Sequence, residues 1–181
     1  MVTGQFHAQP PAGGWDADEF QATFLEHYGA IYRHLFRLLG SQEEAEDLAQ
    51  EAFLRLYRQR FPPGREHNLR AWLYRVATHL ACNALRSQRR RERRERAEAG
   101  RAEPSGGVDP AEAVLREEER DAVRRVLGCL RPREAQVLLL RYAGLSYREV
   151  AEVLGVAPGS VGTLLARAEA AFERAYRAAA R

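Results

Sequence analysis

Apolar residues recur along this chain at three- and four-residue steps, and few segments show the strict alternation of a half-buried strand. Between Asp18 and Leu39, the positions Phe24, Tyr28, Ile31, Leu35 and Leu38 fall on one helical face. Gly40 ends that helix and Ser41 opens the next. Ser41 with Glu44 three residues later reads as a capping box, the hydroxyl and carboxylate satisfying orphan amides reciprocally. The helix that follows is expected to bury Leu48, Ala52, Phe53 and Leu56. Phe61-Pro62-Pro63-Gly64 breaks it, because proline lacks the amide donor and clashes with the preceding turn. A third helix starts near Asn68, with an apolar stripe of Leu69, Trp72, Leu73, Val76, Ala77, Leu80 and Ala84. Arg75, His79, Asn83, Arg86 and Arg90 occupy its other face.

The third helix runs into a charged segment, Arg86 to Arg96, holding seven Arg and two Glu for a net of +5. Gly100 to Val108, centred on Pro104-Ser105-Gly106-Gly107, has too little apolar surface to fold and reads as a linker. Asp109-Pro110-Ala111-Glu112 restarts helix, with Asp as N-cap and Pro in the first turn. Further helices are expected near 110–130, 132–142, 146–154 and 158–177, their junctions marked by Pro132, Ser146, Gly155 and Pro158. The pattern predicts an all-α protein of two small domains. Residues 1–17 form an N-terminal tail expected to be disordered, 18–96 a first helical domain, 97–109 a flexible linker and 110–178 a second.

Composition narrows the function classes. The 181 residues are 45% hydrophobic and 29% charged, as in a soluble globular protein. All 28 basic residues are Arg, an excess that a GC-rich genome produces as readily as nucleic-acid chemistry does. Cys82 and Cys129 lie on separate predicted helices without metal-ligand spacing, and read as two buried thiols of a reducing cytosol. No apolar run approaches the ~18–20 residues that span a bilayer, and the N-terminal segment lacks the features of a signal peptide. A cytoplasmic location and no membrane insertion are expected. Glu43, Glu46, Asp47 and Gln50 lie at helical spacing, but no His converges with them, so no metal or cofactor is expected. There is no Gly-rich phosphate loop and no nucleophile elbow, which argues against an enzyme.

The clearest local motif spans Tyr147 to Ala166. A helix-turn-helix needs a small residue where its helices touch, a residue tolerant of positive φ at the turn, and apolar anchors. Ala151 and Gly155 supply the first two; Val150, Leu154, Val156, Val161 and Leu164 supply the anchors. The outward positions of the second helix are poor in groups that reach base edges. Ser160, Thr163 and Arg167 are the polar candidates, suited to phosphate more than to bases, Arg167 being able to read a guanine as well.

Three stretches together resemble the extracytoplasmic-function (ECF) class of sigma factors, within the sigma-seventy family. They are Glu44-Ala45-Glu46-Asp47-Leu48-Ala49-Gln50-Glu51-Ala52-Phe53-Leu54-Arg55-Leu56, Leu69-Arg70-Ala71-Trp72-Leu73-Tyr74-Arg75-Val76-Ala77, and Leu145-Ser146-Tyr147-Arg148-Glu149-Val150-Ala151-Glu152-Val153-Leu154-Gly155-Val156. The resemblance covers roughly residues 18–178 and implies two helical domains, sigma regions two and four. It implies RNA polymerase core as partner, docked through its largest-subunit clamp helices, together with promoter DNA and an anti-sigma factor. By position, Asp47, Gln50 and Glu51 resemble the core-docking residues. Arg65, His67 and Asn68, with Arg75, His79, Asn83 and Arg86 on the next helix, resemble the reader of the −10 element. Arg148, Ser160, Thr163 and Arg167 are the corresponding candidates for the −35 element. The chain departs from the family pattern at His79 and Asn83, where Asn and Asp are usual, and at Gly162, Leu164 and Ala166, positions often basic in relatives. Residues Leu130 to Leu165 also resemble the helix-turn-helix of quorum-sensing-type response regulators, which leaves a regulator without polymerase contact as the alternative.

Overall fold

The computed structural model describes residues 15–61, 68–98, 122, 123 and 125–179. The expected N-terminal tail before residue 15, most of the linker, and the Asp109–Glu112 start signal lie outside the described residues, as do Arg65 and His67. Within them the chain folds as α1 (Ala17–Leu39), α2 (Gln42–Arg58) and α3 (Leu69–Glu98), then helical residues 125–129, α4 (Pro132–Tyr142), α5 (Tyr147–Leu154) and α6 (Pro158–Ala179). No strand occurs among the described residues. The all-α reading holds, with helix ends close to the expected ones.

α1 and α2 form an antiparallel hairpin because the chain reverses at Gly40, whose φ of 78° suits a residue without Cβ. Ser41 Oγ accepts from the Glu44 amide at 3.2 Å, so only the hydroxyl half of the expected capping box forms. The antiparallel register is visible in the rings: Phe20 meets Tyr57 at 4.9 Å and Phe24 meets Phe53 at 4.9 Å. Ala45, Ala49 and Ala52 are fully buried, and their small side chains let α2 approach its neighbours closely. Leu48 is only half-buried. α3 packs against both helices, and Ile31, Leu35, Leu56 and Leu73 lose nearly all contact with water. Each such side chain contributes about 1.5–3 kcal/mol of transfer free energy. Trp15 belongs to this core, although its position placed it in the expected tail. It is 8% exposed, and its Nε1 donates to the Leu56 carbonyl at 2.9 Å.

α4 starts at Pro132, where the missing amide is no loss, and buries Val137, Leu139 and Leu140. α5 and α6 cross at 90°, the geometry of a helix-turn-helix. The two halves are joined. α3 touches α5 and α4 as well as α1 and α2, and α1 touches α4. The buried set on α3 is correspondingly broader than the expected stripe, taking in Ala71, Tyr74, Thr78 and Ala81. Tyr74 is therefore core. Trp72 is half-buried against Phe61 at 5.9 Å.

Candidate nucleic-acid interface

On α2 the buried Ala45–Ala49–Phe53–Leu56 face leaves the opposite one to solvent, and Asp47 and Gln50 lie exposed on it. Leu54, 41% exposed, shares that face at helical spacing. Glu51 differs from its two companions: it is half-buried, and its Oε1 accepts from Arg55 Nε at 2.7 Å.

Asn68 caps α3, its Oδ1 accepting from the Ala71 amide at 2.9 Å. Arg75, His79, Asn83 and Arg86 are all exposed along α3, as the spacing predicts. Arg90, Arg91 and Arg94 extend this exposed basic edge toward the end of the helix. The sequence reading missed Arg70, which is half-buried and donates to the Ala143 carbonyl at 2.6 Å.

In the helix-turn-helix, Ser146 and Glu149 close a complete capping box: Ser146 N and Oγ donate to Glu149 Oε2 at 2.7 and 2.8 Å. Gly155 turns the chain at φ 63°, ψ 44°, and the Val156 amide donates to the Ala151 carbonyl at 3.0 Å. Val150, Ala151 and Val161 are buried, whereas Leu154, Val156 and Leu164 are half-buried against the core. Arg133 donates to the Leu154 carbonyl at 3.0 Å, satisfying an end that α5 leaves open. Arg148, Ser160, Thr163 and Arg167 are exposed. The first turn of α6 carries no acidic side chain to repel a phosphate, and its Ser160 amide donates to the Ala157 carbonyl at 2.9 Å. Gly162 is half-buried beside Tyr147, whose ring lies under the Arg141 guanidinium at 5.1 Å.

His34 is 1% exposed, and its Nε2 shares a 3.0 Å hydrogen bond with Thr78 Oγ1. Burial, and then the Arg37 charge, lower its pKa to about 3. Neither cysteine is fully buried, contrary to the expectation of two buried thiols: Cys82 is half-buried, and Cys129, at the end of helical residues 125–129, is exposed. Among the described residues, no group of three His, Cys, Asp or Glu could hold a metal. No single helix among them is long and apolar enough to cross a membrane.

Among the described residues the chain is all-helical, with an exposed acidic face on α2, a basic edge on α3 and a helix-turn-helix, a motif that recurs in DNA-binding proteins. Residues 23–91 match the family description Sigma-70 region 2, and residues 120–172 match Sigma-70, region 4. The chain is 33% identical to the ECF RNA polymerase sigma factor SigG of Mycobacterium tuberculosis over 196 residues, covering 93% of the chain and 53% of that relative. It is 30% identical to the ECF RNA polymerase sigma factor SigW of Bacillus subtilis over 171 residues, covering 90% of the chain and 91% of the relative. It thus spans about half the length of SigG and nearly all of SigW. Two solved structures share the fold. One is the sigma factor RpoE of Bartonella quintana in complex with the anti-sigma factor NepR, at a TM-score of 0.64 and 23% identity, covering 88% of this chain and 98% of that one. The other is CnrH in complex with the cytosolic domain of CnrY, at a TM-score of 0.66 and 20% identity, covering 92% and 93%. The chain belongs to the sigma-70 family, in its ECF group.

Proposed function

We propose that this chain binds RNA polymerase core and directs it to promoter DNA, where it recognises and opens the start site. The observation that carries this reading is the order of its parts: a region 2 match over 23–91 precedes a region 4 match over 120–172. Asp47 and Gln50 dock on the clamp helices of the largest subunit, with Leu54 adding apolar contact from the same face. Glu51, already paired with Arg55, contributes less than its two companions. Asn68, with Arg65 and His67 preceding it, captures a base unstacked from the −10 element, while Arg75, His79, Asn83 and Arg86 follow the adjoining strand. Ser160, Thr163, Arg148 and Arg167 hold the −35 element mainly through its phosphates. The protein acts in the cytoplasm as a non-enzymatic initiation factor without a cofactor, and an anti-sigma protein regulates it, as NepR and CnrY partner the two structural relatives.

Purified protein mixed with sigma-free core polymerase and promoter DNA should bind core and produce start-site-specific transcripts. DNA binding without core binding would instead favour a regulator of the response type. Replacing Asp47 and Gln50 together by Ala should weaken core binding about tenfold or more while leaving helical content unchanged. Undiminished core affinity in that variant would remove α2 from the docking surface.

A further inference from the structure

A cavity of about 300 Å³ lies between the end of α1, the middle of α3 and residues 127–139. Its wall is mainly leucine: Leu38, Leu85, Leu127, Leu130 and Leu139. Leu38, Leu85 and Leu127 are only half-buried, so apolar surface is left for an occupant to cover. The polar part of the wall is small and of one sign. It comprises Arg86, exposed, Arg37, half-buried, and the Gln136 amide, whose Nε2 donates to Cys82 Sγ at 2.6 Å. No acidic side chain among the described residues lines the cavity, and neither arginine forms an ion pair with one. Burial pushes the Cys82 thiol pKa up, and the Arg86 charge beside it pulls the other way. The Arg37 guanidinium sits 4.7 Å above the Tyr142 ring, a contact that neutralises none of its charge. The C-terminal end of α1 at Gly40 and the N-terminal end of α4 at Pro132 both reach the wall. Their dipoles oppose each other there, which leaves the two guanidiniums to set the sign.

We propose that this cavity binds an amphipathic monocarboxylate, with the carboxylate at the Arg86 rim and the hydrocarbon tail among the leucines. An apolar pocket with a few polar groups at one side is the usual form of a small-molecule site. Arginine suits the head group, because its planar fork holds a carboxylate through two hydrogen bonds. Volume sets the length. At about 30 Å³ for each water-sized group, the cavity takes about ten heavy atoms, the number in octanoate. Arg86 is also among the residues given to the promoter strand. The site itself does not rest on that assignment, and its test contains neither DNA nor polymerase.

Cys82 in the wall reports occupancy, and Cys129, exposed and outside the cavity, is the internal control. The reduced full chain is pulsed with iodoacetamide, a neutral reagent, at mildly alkaline pH, and alkylation of each cysteine is read by peptide mass spectrometry. Saturating sodium octanoate, below micelle-forming concentration, should slow Cys82 about fivefold or more and leave the Cys129 rate unchanged. Each buried methylene strengthens binding about fourfold, so hexanoate should need about fifteen times the concentration for half-protection. Octylammonium, of the same length and opposite charge, should not protect. Arg86→Gln should raise the half-protecting octanoate concentration about fivefold or more. Ala135→Leu places a larger side chain in the cavity and should abolish protection, with circular dichroism checking helix content. Should that variant lose helix, the exposed Arg86→Gln carries the test.

A Cys82 rate indifferent to octanoate would overturn the proposal. So would equal slowing of both cysteines, which is a general surfactant effect, or full protection in a folded Ala135→Leu chain. Octylammonium protecting as well as octanoate, or Arg86→Gln protected at the wild-type concentration, would overturn the carboxylate assignment. Failure to bind core polymerase would refute the proposed function and leave these results standing.

Discussion

His34 sits at the junction of α1 and α3, and its burial makes a quantitative claim about pH. Its ring is 1% exposed, meets the Tyr74 ring edge-on at 5.0 Å and shares a hydrogen bond with Thr78. Protonation would place a charge in this apolar environment with Arg37 nearby, so the folded pKa falls from 6.5 to about 3. The unfolded chain therefore binds the proton more tightly than the native one. A native group whose pKa is lowered in this way stabilises the fold above its unfolded pKa, and the contribution disappears as pH falls toward the folded value. Between pH 7 and pH 5 the loss is about 2 kcal/mol, and down to pH 3 it reaches about 4 kcal/mol. Against a typical domain stability of about 5–15 kcal/mol, the smaller figure is readily measured. Urea unfolding followed by circular dichroism at pH 7, 6 and 5 should show it, with His34→Gln as the control that cannot titrate. The stability advantage of wild type over that variant should shrink by about 2 kcal/mol between pH 7 and pH 5. A constant difference across this range, or an NMR titration of His34 centred near 6.5, would refute the argument.

Other consequences are local. Gly155→Ala places a Cβ where no neighbour stands within 4 Å, so its effect is purely conformational. Holding an L-residue at φ 63° costs about 1–2 kcal/mol, and thermal unfolding should shift down by several degrees; an unchanged midpoint would mean the turn relaxes. Arg86→Ala should lower the slope of log K against log salt for DNA binding by up to about 0.9 if the guanidinium neutralises one phosphate. A uniform loss of affinity at every salt concentration would assign Arg86 elsewhere. Cys129 is exposed, whereas Cys82 is half-buried, with burial pushing its thiol pKa up. A maleimide at mildly alkaline pH should therefore modify Cys129 first, and mass spectrometry of a partly labelled sample reads the order directly.

Most of the fold is legible in the sequence because its signals are short-range. The three- and four-residue period places α1, α2 and α3, and Ser146 with Glu149 and Gly155 bracket α5 within one residue of its observed ends. Candidate positions on helix surfaces, such as Asp47, Gln50 and Arg75 to Arg86, follow from the same period, since an exposed face is the complement of a buried one. The period cannot report contacts between residues 81 positions apart, the separation of Asn68 and Glu149, or 73, that of Arg70 and Ala143. One trace of the contact between α3 and the second half stands in the sequence. Ala71, Tyr74 and Ala81 widen the apolar face of α3 beyond what a single packing partner uses, as a helix covered from two sides requires. Trp15 was lost for a related reason: Gly13 and Gly14 immediately before it read as tail, and its anchor is a carbonyl on α2.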